Sequence, residues 1–195
     1  MSRPLTHDDL HAFKARLCDV AETLFAERGA ENVSMRQLAA ALGVSPMTPY
    51  RYFANREDIL AAVRIRGFER FTAALEAAYT AAPAKGLDRA MAAGRAYIAF
   101  ALGNPHTYRL MFEHRQPEDS SASPLGEAVA RARATLSVYG DGLIARGIAE
   151  GDARRMETLI WSTLHGAVSL ELAATLPPGS ALQTLELLGR TNRAG

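Results

Sequence analysis

A chain of 195 residues with 48% hydrophobic content can bury one good core or two small ones, and no run approaches the roughly eighteen apolar residues a membrane span needs. The net charge of +1, with seven Lys/Arg against eight Asp/Glu in residues 1–60, excludes a generally basic coat for nucleic acid. A single cysteine, Cys18, excludes an internal disulfide, and the N-terminal MSRPLTHDDLHAF lacks an apolar signal segment, so a soluble cytoplasmic protein is expected.

Along the chain every substantial segment shows helical spacing and none the period-two alternation of a half-buried strand, so the fold class is all-α. Thr6 with Asp9 caps a first helix reaching Arg28, with Cys18 as a small core residue between Leu17 and Ala21, and Gly29 with Asn32 supplies the exit turn. Leu38, Ala39 and Leu42 mark a second helix, ended by Gly43, whose freedom to adopt left-handed angles suits a helix stop, and Val44 plugs the corner beyond it. A short helix comes next. It starts either with Ser45 as N-cap and Pro46 at the first position, running to about Phe53, or with Thr48 as N-cap and Pro49 at the first position. Asn55 caps the next helix, with Asp58 reaching back, and this long helix runs past Ile59, Leu60, Val63, Phe68 and Phe71 to about Ala82, before Pro83 and Gly86. Further helices are expected over Leu87 to about Leu102, Pro105 to Phe112, Pro124 to about Arg146–Ile148, Asp152 to Ala173 and Ser180 to about Arg190. A polar loop fills Gln116–Ser123.

The stretch from Ser34 to Arg56 contains no Asp or Glu, while Arg36, Arg51 and Arg56 fall in it beside Tyr50 and Tyr52. A short helix held between two corners cannot build a core of its own, so these side chains suit a nucleic-acid face. Phenol and hydroxyl groups donate to phosphate oxygens, Arg51 addresses phosphate or the paired acceptors of guanine, and the Thr48 methyl can touch a thymine methyl. Arg36 is the second candidate for a base edge. No Gly-rich phosphate loop and no convincing catalytic triad appears, so neither a cofactor nor an enzymatic activity is expected. No metal site is expected either: His106 and His114 lack i,i+4 spacing, and His7 and His11, which have it, fit a solvated face near the chain end.

These residues resemble the TetR family of transcriptional repressors. The match runs from Ala21, Leu24, Phe25 and Gly29 through Ser34, Leu38, Ala39, Gly43, Val44, Ser45, Thr48, Tyr50 and Phe53 to Asn55-Arg56-Glu57. Pro49 stands where the family usually has Leu, Arg56 where it has Lys, and Tyr52 where it often has His. The resemblance implies a helix-turn-helix domain over 1–55 and a helical ligand-binding and dimerisation domain over 56–195. It further implies double-stranded DNA with a palindromic operator as partner, contacted by Arg36, Gln37, Ser45, Met47, Thr48, Tyr50, Arg51, Tyr52 and Arg56. A homodimer would form through helices carrying Leu159, Ile160, Thr163, Leu164, Ala167 and Val168, and Leu182, Leu185 and Leu188, residues that could equally be intramolecular core.

The segment Trp161 to Gly166 resembles the C-terminal domain type named for its Trp-His-Gly signature. Trp161 and His165 share a helix face, either as a structural pair or with His165 facing a small-molecule pocket. That pocket would be lined by Tyr97, Phe100, Tyr108, Met111, Phe112 and Tyr139. The resemblance implies a repressor released by a small-molecule effector. The alternative is a DNA-binding regulator whose C-terminal half binds a protein partner.

Overall fold

The computed structural model describes residues 7–83, 87–115, 123–144 and 152–191. Among these residues there is no strand; the helices are α1 (His7–Arg28), α2 (Met35–Ala41), α3 (Arg56–Ala81), α4 (Asp88–Gly103), α5 (Pro105–Phe112), α6 (Pro124–Ile144), α7 (Ala153–Leu172) and α8 (Ser180–Thr191). Short 3₁₀ turns occupy Ala30–Asn32 and Pro49–Arg51. No helix among the described residues is long and apolar enough to cross a membrane. The Thr6 cap, the break at Gly86, the polar loop from Gln116 and the end of the sixth helix beyond Ile144 lie outside the described residues.

The chain divides into two compact units, one of residues 1–67 with 106–117, the other of residues 68–105 with 118–195. The first unit therefore extends past the expected boundary at residue 55 and takes in α5, which is distant in sequence.

In the first unit, Leu17, Ala21 and Phe25 of α1 pack with Val33, Met35 and Leu38 around α2, with Ile59 and Val63 of α3, and with Leu110 of α5. Cys18 belongs to this core and is 3% exposed, so burial pushes its thiol pKa up. Arg66 ties α3 to α1 by donating to the Ala15 carbonyl at 3.1 Å and to Asp19 at 2.6 Å. Thr107 of α5 donates its hydroxyl to Glu22 of α1. Gly67 is where α3 and α5 touch: a Cβ there would lie 2.9 Å from Met111 Cγ and 3.1 Å from Thr107 Cγ2. Arg64, buried in the same contact, donates to the carbonyls of Met111 (3.3 Å), in the last turn of α5, and of His114 (3.2 Å) and Arg115 (3.4 Å), just past its end.

In the second unit, the helices α4, α6, α7 and α8 pack on one another. Phe71 of α3 meets Tyr97 and Phe100 of α4 edge-on, with centroids 5.0 and 5.4 Å apart. Leu164 and Val168 of α7 and Ala181 and Leu185 of α8 are buried. Glu171 of α7 accepts the backbone N–H groups of Gly179 and Ala181, both at 2.8 Å, and so caps the start of α8 from a neighbouring helix.

Candidate functional site

The acid-free stretch is shaped by how α2 begins and ends. Ser34 caps α2, and Gln37 returns the bond, its side-chain oxygen accepting the Ser34 N–H at 2.7 Å. At the other end Gly43 takes φ 68°, with Val44 N–H donating to Ala39 and Gly43 N–H to Ala40, both at 3.0 Å. This pair of bonds is the Schellman stop, and it fixes the corner where the sequence puts it.

Beyond the corner the backbone does not make a full α-helical turn from Pro46. A helix starting there would need an N–H at residue 49 to reach the Ser45 carbonyl, and Pro49 has none. The Ser45 carbonyl instead accepts the Thr48 N–H at 2.9 Å, and the backbone tightens into the 3₁₀ turn Pro49–Arg51. Thr48 precedes it with helical angles, φ −62° and ψ −47°, despite the bias that a proline imposes on the residue before it. Of the two starts open in the sequence, the one at Thr48 and Pro49 describes the chain. Pro49 itself is buried, which anchors the turn while its neighbours face out.

The predicted contact residues separate into two groups. Arg36, Met47, Tyr50 and Arg51 are exposed, Met47 at 67% and Tyr50 at 47%. Arg36 and Arg51 show no ion pair or hydrogen bond among the described residues. The remaining predicted residues have partners within the chain, although Gln37 and Ser45 are exposed as well. The Gln37 side chain belongs to the α2 cap, and the Ser45 and Thr48 hydroxyls bond each other at 3.0 Å. Tyr52 stacks on Phe13 of α1, centroids 4.2 Å apart and rings inclined by 24°, so its ring fastens the turn to α1. Arg56 donates to the Glu31 carbonyl at 2.6 Å and to the Glu57 carboxylate. The Arg56 guanidinium holds the Glu57 carboxyl below the usual carboxylate range. The cap of α3 is as expected, with Asn55 accepting the Asp58 N–H at 2.9 Å, although Asp58 reaches back to the Ala54 N–H (3.1 Å).

The predicted small-molecule residues fall in both units. Tyr97 and Phe100 pack with Phe71 in the second unit, whereas Tyr108, Met111 and Phe112 belong to the first, where Tyr108 and Phe112 meet at 4.8 Å. Trp161 lies under the Arg133 guanidinium at 6.0 Å, and His165 bonds Ser169 at 3.4 Å. Burial lowers the pKa of His165, so it is neutral near pH 7. The side chain of Tyr139 lies outside the described residues.

The second unit does hold a cavity of about 170 Å³ between α4, α6, α7 and α8. Of the predicted pocket residues whose side chains are described, Tyr97 alone stands on its wall; the rest is built by Leu87, Met91 and Leu136 and by Leu159, Ile160, Leu164, Leu185 and Leu188 of the predicted dimer stripe. No aromatic or polar signal in the sequence marks these positions; those on α7 and α8 read equally as dimer interface or intramolecular core, and they line a cavity within one chain.

Gly166 shows a further difference. Among the described residues a Cβ there would meet nothing within 4 Å, so none of their helices needs the close approach this glycine permits. It shares one side of α7 with Leu159 and Leu170, which are 54% and 44% exposed.

Two family models match the chain. Residues 17–63 match "Bacterial regulatory proteins, tetR family", and residues 90–191 match "Tetracyclin repressor-like, C-terminal domain". An HTH-type transcriptional regulator of Mycobacterium bovis is 24% identical over 148 residues, 75% of this chain; the match spans 62% of that relative's length. Among solved structures, a Rhodococcus protein of unknown function superposes with TM-score 0.81 at 29% identity, covering 98% of this chain and 97% of that one. The regulator PfmR from Thermus thermophilus superposes with TM-score 0.65 at 21% identity, covering 88% and 94%. The second of these likenesses bears on the fold alone.

Proposed function

The chain belongs to the TetR family, a family of DNA-binding transcriptional regulators rather than enzymes, and from that premise we propose that it is a repressor that binds a palindromic operator as a homodimer and releases it when a small molecule occupies the cavity of the second unit. The observation that carries this reading is the acid-free stretch Ser34 to Arg56, in which Arg36, Met47, Tyr50 and Arg51 stand exposed on either side of the Gly43 corner. Tyr50 and the N-terminus of α3 supply phosphate contacts, and Arg36, Met47 and Arg51 read base edges. One such surface per protomer addresses one half-site, and two copies reach half-sites about 34–36 Å apart on one face of the duplex. The protein works in the cytoplasm, where the operator is. Residues 56–67 of α3 fall in the first unit and residues 68–81 in the second, so this helix is the continuous element through which occupancy of one unit biases the other. A difference of a few kcal/mol in ligand affinity between the operator-competent and incompetent states is enough.

Selection of bound oligonucleotides from a random pool tests binding, symmetry and half-site spacing together. Recovery of no sequence at low ionic strength, or of sequences without twofold symmetry, sinks the reading. On the selected operator, Arg36→Ala relaxes base preference at one position per half-site and costs about 1–3 kcal/mol there. Gel shifts against operators mutated base by base check it; an even loss across all sequences would move Arg36 to the phosphates.

Arg56 reaches a phosphate only by exchanging its Glu57 partner. Glu57→Gln therefore strengthens binding to every sequence alike, and the salt dependence steepens by about one unit of slope. Titrations at several salt concentrations measure this directly, and an unchanged slope assigns Arg56 a purely structural role.

A further inference from the structure

The wall of the second unit's cavity has a composition that restricts what can enter. Among the described residues every side chain on it is Leu, Ile, Met, Ala or Gly except Tyr97, so none of them brings a charged group, a side-chain amide, a carboxylate or an aliphatic hydroxyl to the space. The buried carboxylate on α7, Glu157, is not on the wall and is bonded by Arg133 at 3.1 Å. An ion entering such a space loses its hydration and gains at most the Tyr97 phenol among the described side chains, which disfavours it against a neutral molecule of the same shape.

Size is restricted as well. The volume, about 170 Å³, is close to that of a dry apolar cavity of roughly 150 Å³ that holds one benzene molecule. Two glycines keep it narrow by letting α4 and α8 close in: a Cβ at Gly94 would stand 2.6 Å from Leu185 Cδ1, and one at Gly189 would stand 2.8 Å from Met91 Sδ. Met91 and Met156 are the adaptable parts of the wall, where a substituent on a single ring can be accommodated.

We propose that this cavity takes an uncharged, essentially hydrocarbon molecule the size of one substituted aromatic ring or an aliphatic chain of about eight carbons, and rejects the corresponding acids, ammonium ions and polycyclic compounds. This identification of the effector class rests on the reading of the protein as an effector-released repressor.

The test uses the full chain with ethylbenzene and 1-octanol as probes, set against octanoate, phenethylammonium and pyrene. Binding is followed by calorimetry and by the shift in melting temperature, and operator affinity is measured in parallel. The neutral one-ring and eight-carbon probes bind, while octanoate and phenethylammonium bind at least about 100-fold more weakly. Ala90→Phe, at a half-buried wall position, fills the space and abolishes binding of ethylbenzene; Leu136→Phe, on the opposite helix, does the same from another side. Octanoate binding as tightly as octanol, or pyrene binding that either filled variant removes, overturns the proposed class and leaves effector release standing. Failure of both neutral probes to bind at saturation overturns it too. Probes that bind and are lost in the filled variants, yet leave operator affinity unchanged, uphold the ligand class and sink the release reading instead.

Discussion

Arg64→Met lowers the unfolding free energy of the protein by about 3 kcal/mol, the cost of leaving three backbone carbonyls, one in the last turn of α5 and two just past it, without their donor. Arg64 is 5% exposed, and its guanidinium fork spans the carbonyls of Met111, His114 and Arg115. Two effects oppose each other in the substitution. Removing a buried charge recovers its desolvation, the same cause that lowers the arginine pKa in the folded chain. Against that, the buried Met111 carbonyl left unpaired costs about 1–3 kcal/mol and the part-buried carbonyls of His114 and Arg115 add less each, while the attraction between a cation and a helix C-terminus disappears. With three acceptors stranded, the loss wins.

Arg64→Lys falls between the two. An ammonium keeps the charge but is a point donor that cannot bridge three separated carbonyls, so it recovers about half of the loss. Urea denaturation gives the free energies, and hydrogen exchange localises the effect to the amides of α5. A destabilisation below about 1 kcal/mol would mean that water satisfies these carbonyls as well as the guanidinium does.

That contact also marks where the sequence stops being informative. Helix boundaries were legible because they are written in local chemistry: Pro105 begins α5 and Phe112 ends it as expected, Gly43 stops α2, and Asn55 caps α3. The membership of α5 in the first unit was not, since it depends on Arg64, Gly67 and Glu22 meeting residues about forty or more positions away. The exposed half of the candidate DNA surface was legible from its acid-free run, but the side chains diverted to structural work were not. Tyr52 is taken by Phe13, Gln37 by its own helix cap, and Arg56 by the residue next to it.

The cavity shows the reverse failure. Aromatic residues at helical spacing attract attention as pocket linings, yet Tyr97 and Phe100 are drawn to Phe71 and Tyr108 to Phe112, because large rings gain most by packing on each other. The space is left where smaller or flexible side chains meet at Gly94 and Gly189. Nothing in a single sequence distinguishes a leucine that lines a void from one that fills it.

Gly166→Leu separates the protomer from the dimer, and its expected result is a chain at least as stable as the parent that no longer pairs and binds the operator roughly 100-fold more weakly. Glycine in a helix interior costs about 1 kcal/mol relative to alanine, so a protomer considered alone gains from the replacement. The added side chain has room, since among the described residues a Cβ at this position meets nothing within 4 Å. The glycine is therefore unexplained by the fold of one protomer. On the proposed dimer it is explained: with Leu159 and Leu170 it lies on a side of α7 that carries no Asp, Glu, Lys or Arg from Thr158 to Leu170, and a second copy's helix can approach closely there. His165, neutral near pH 7, adds no charge to this stretch. Leucine in place of the glycine would hold the second helix away by the thickness of a side chain and separate the leucines that pair across the axis. Each recognition surface would then bind its half-site alone, which forfeits the gain from linking two sites. Sedimentation equilibrium reads the oligomeric state and gel shifts the affinity; a variant that remains dimeric and binds normally would remove this side of α7 from the interface.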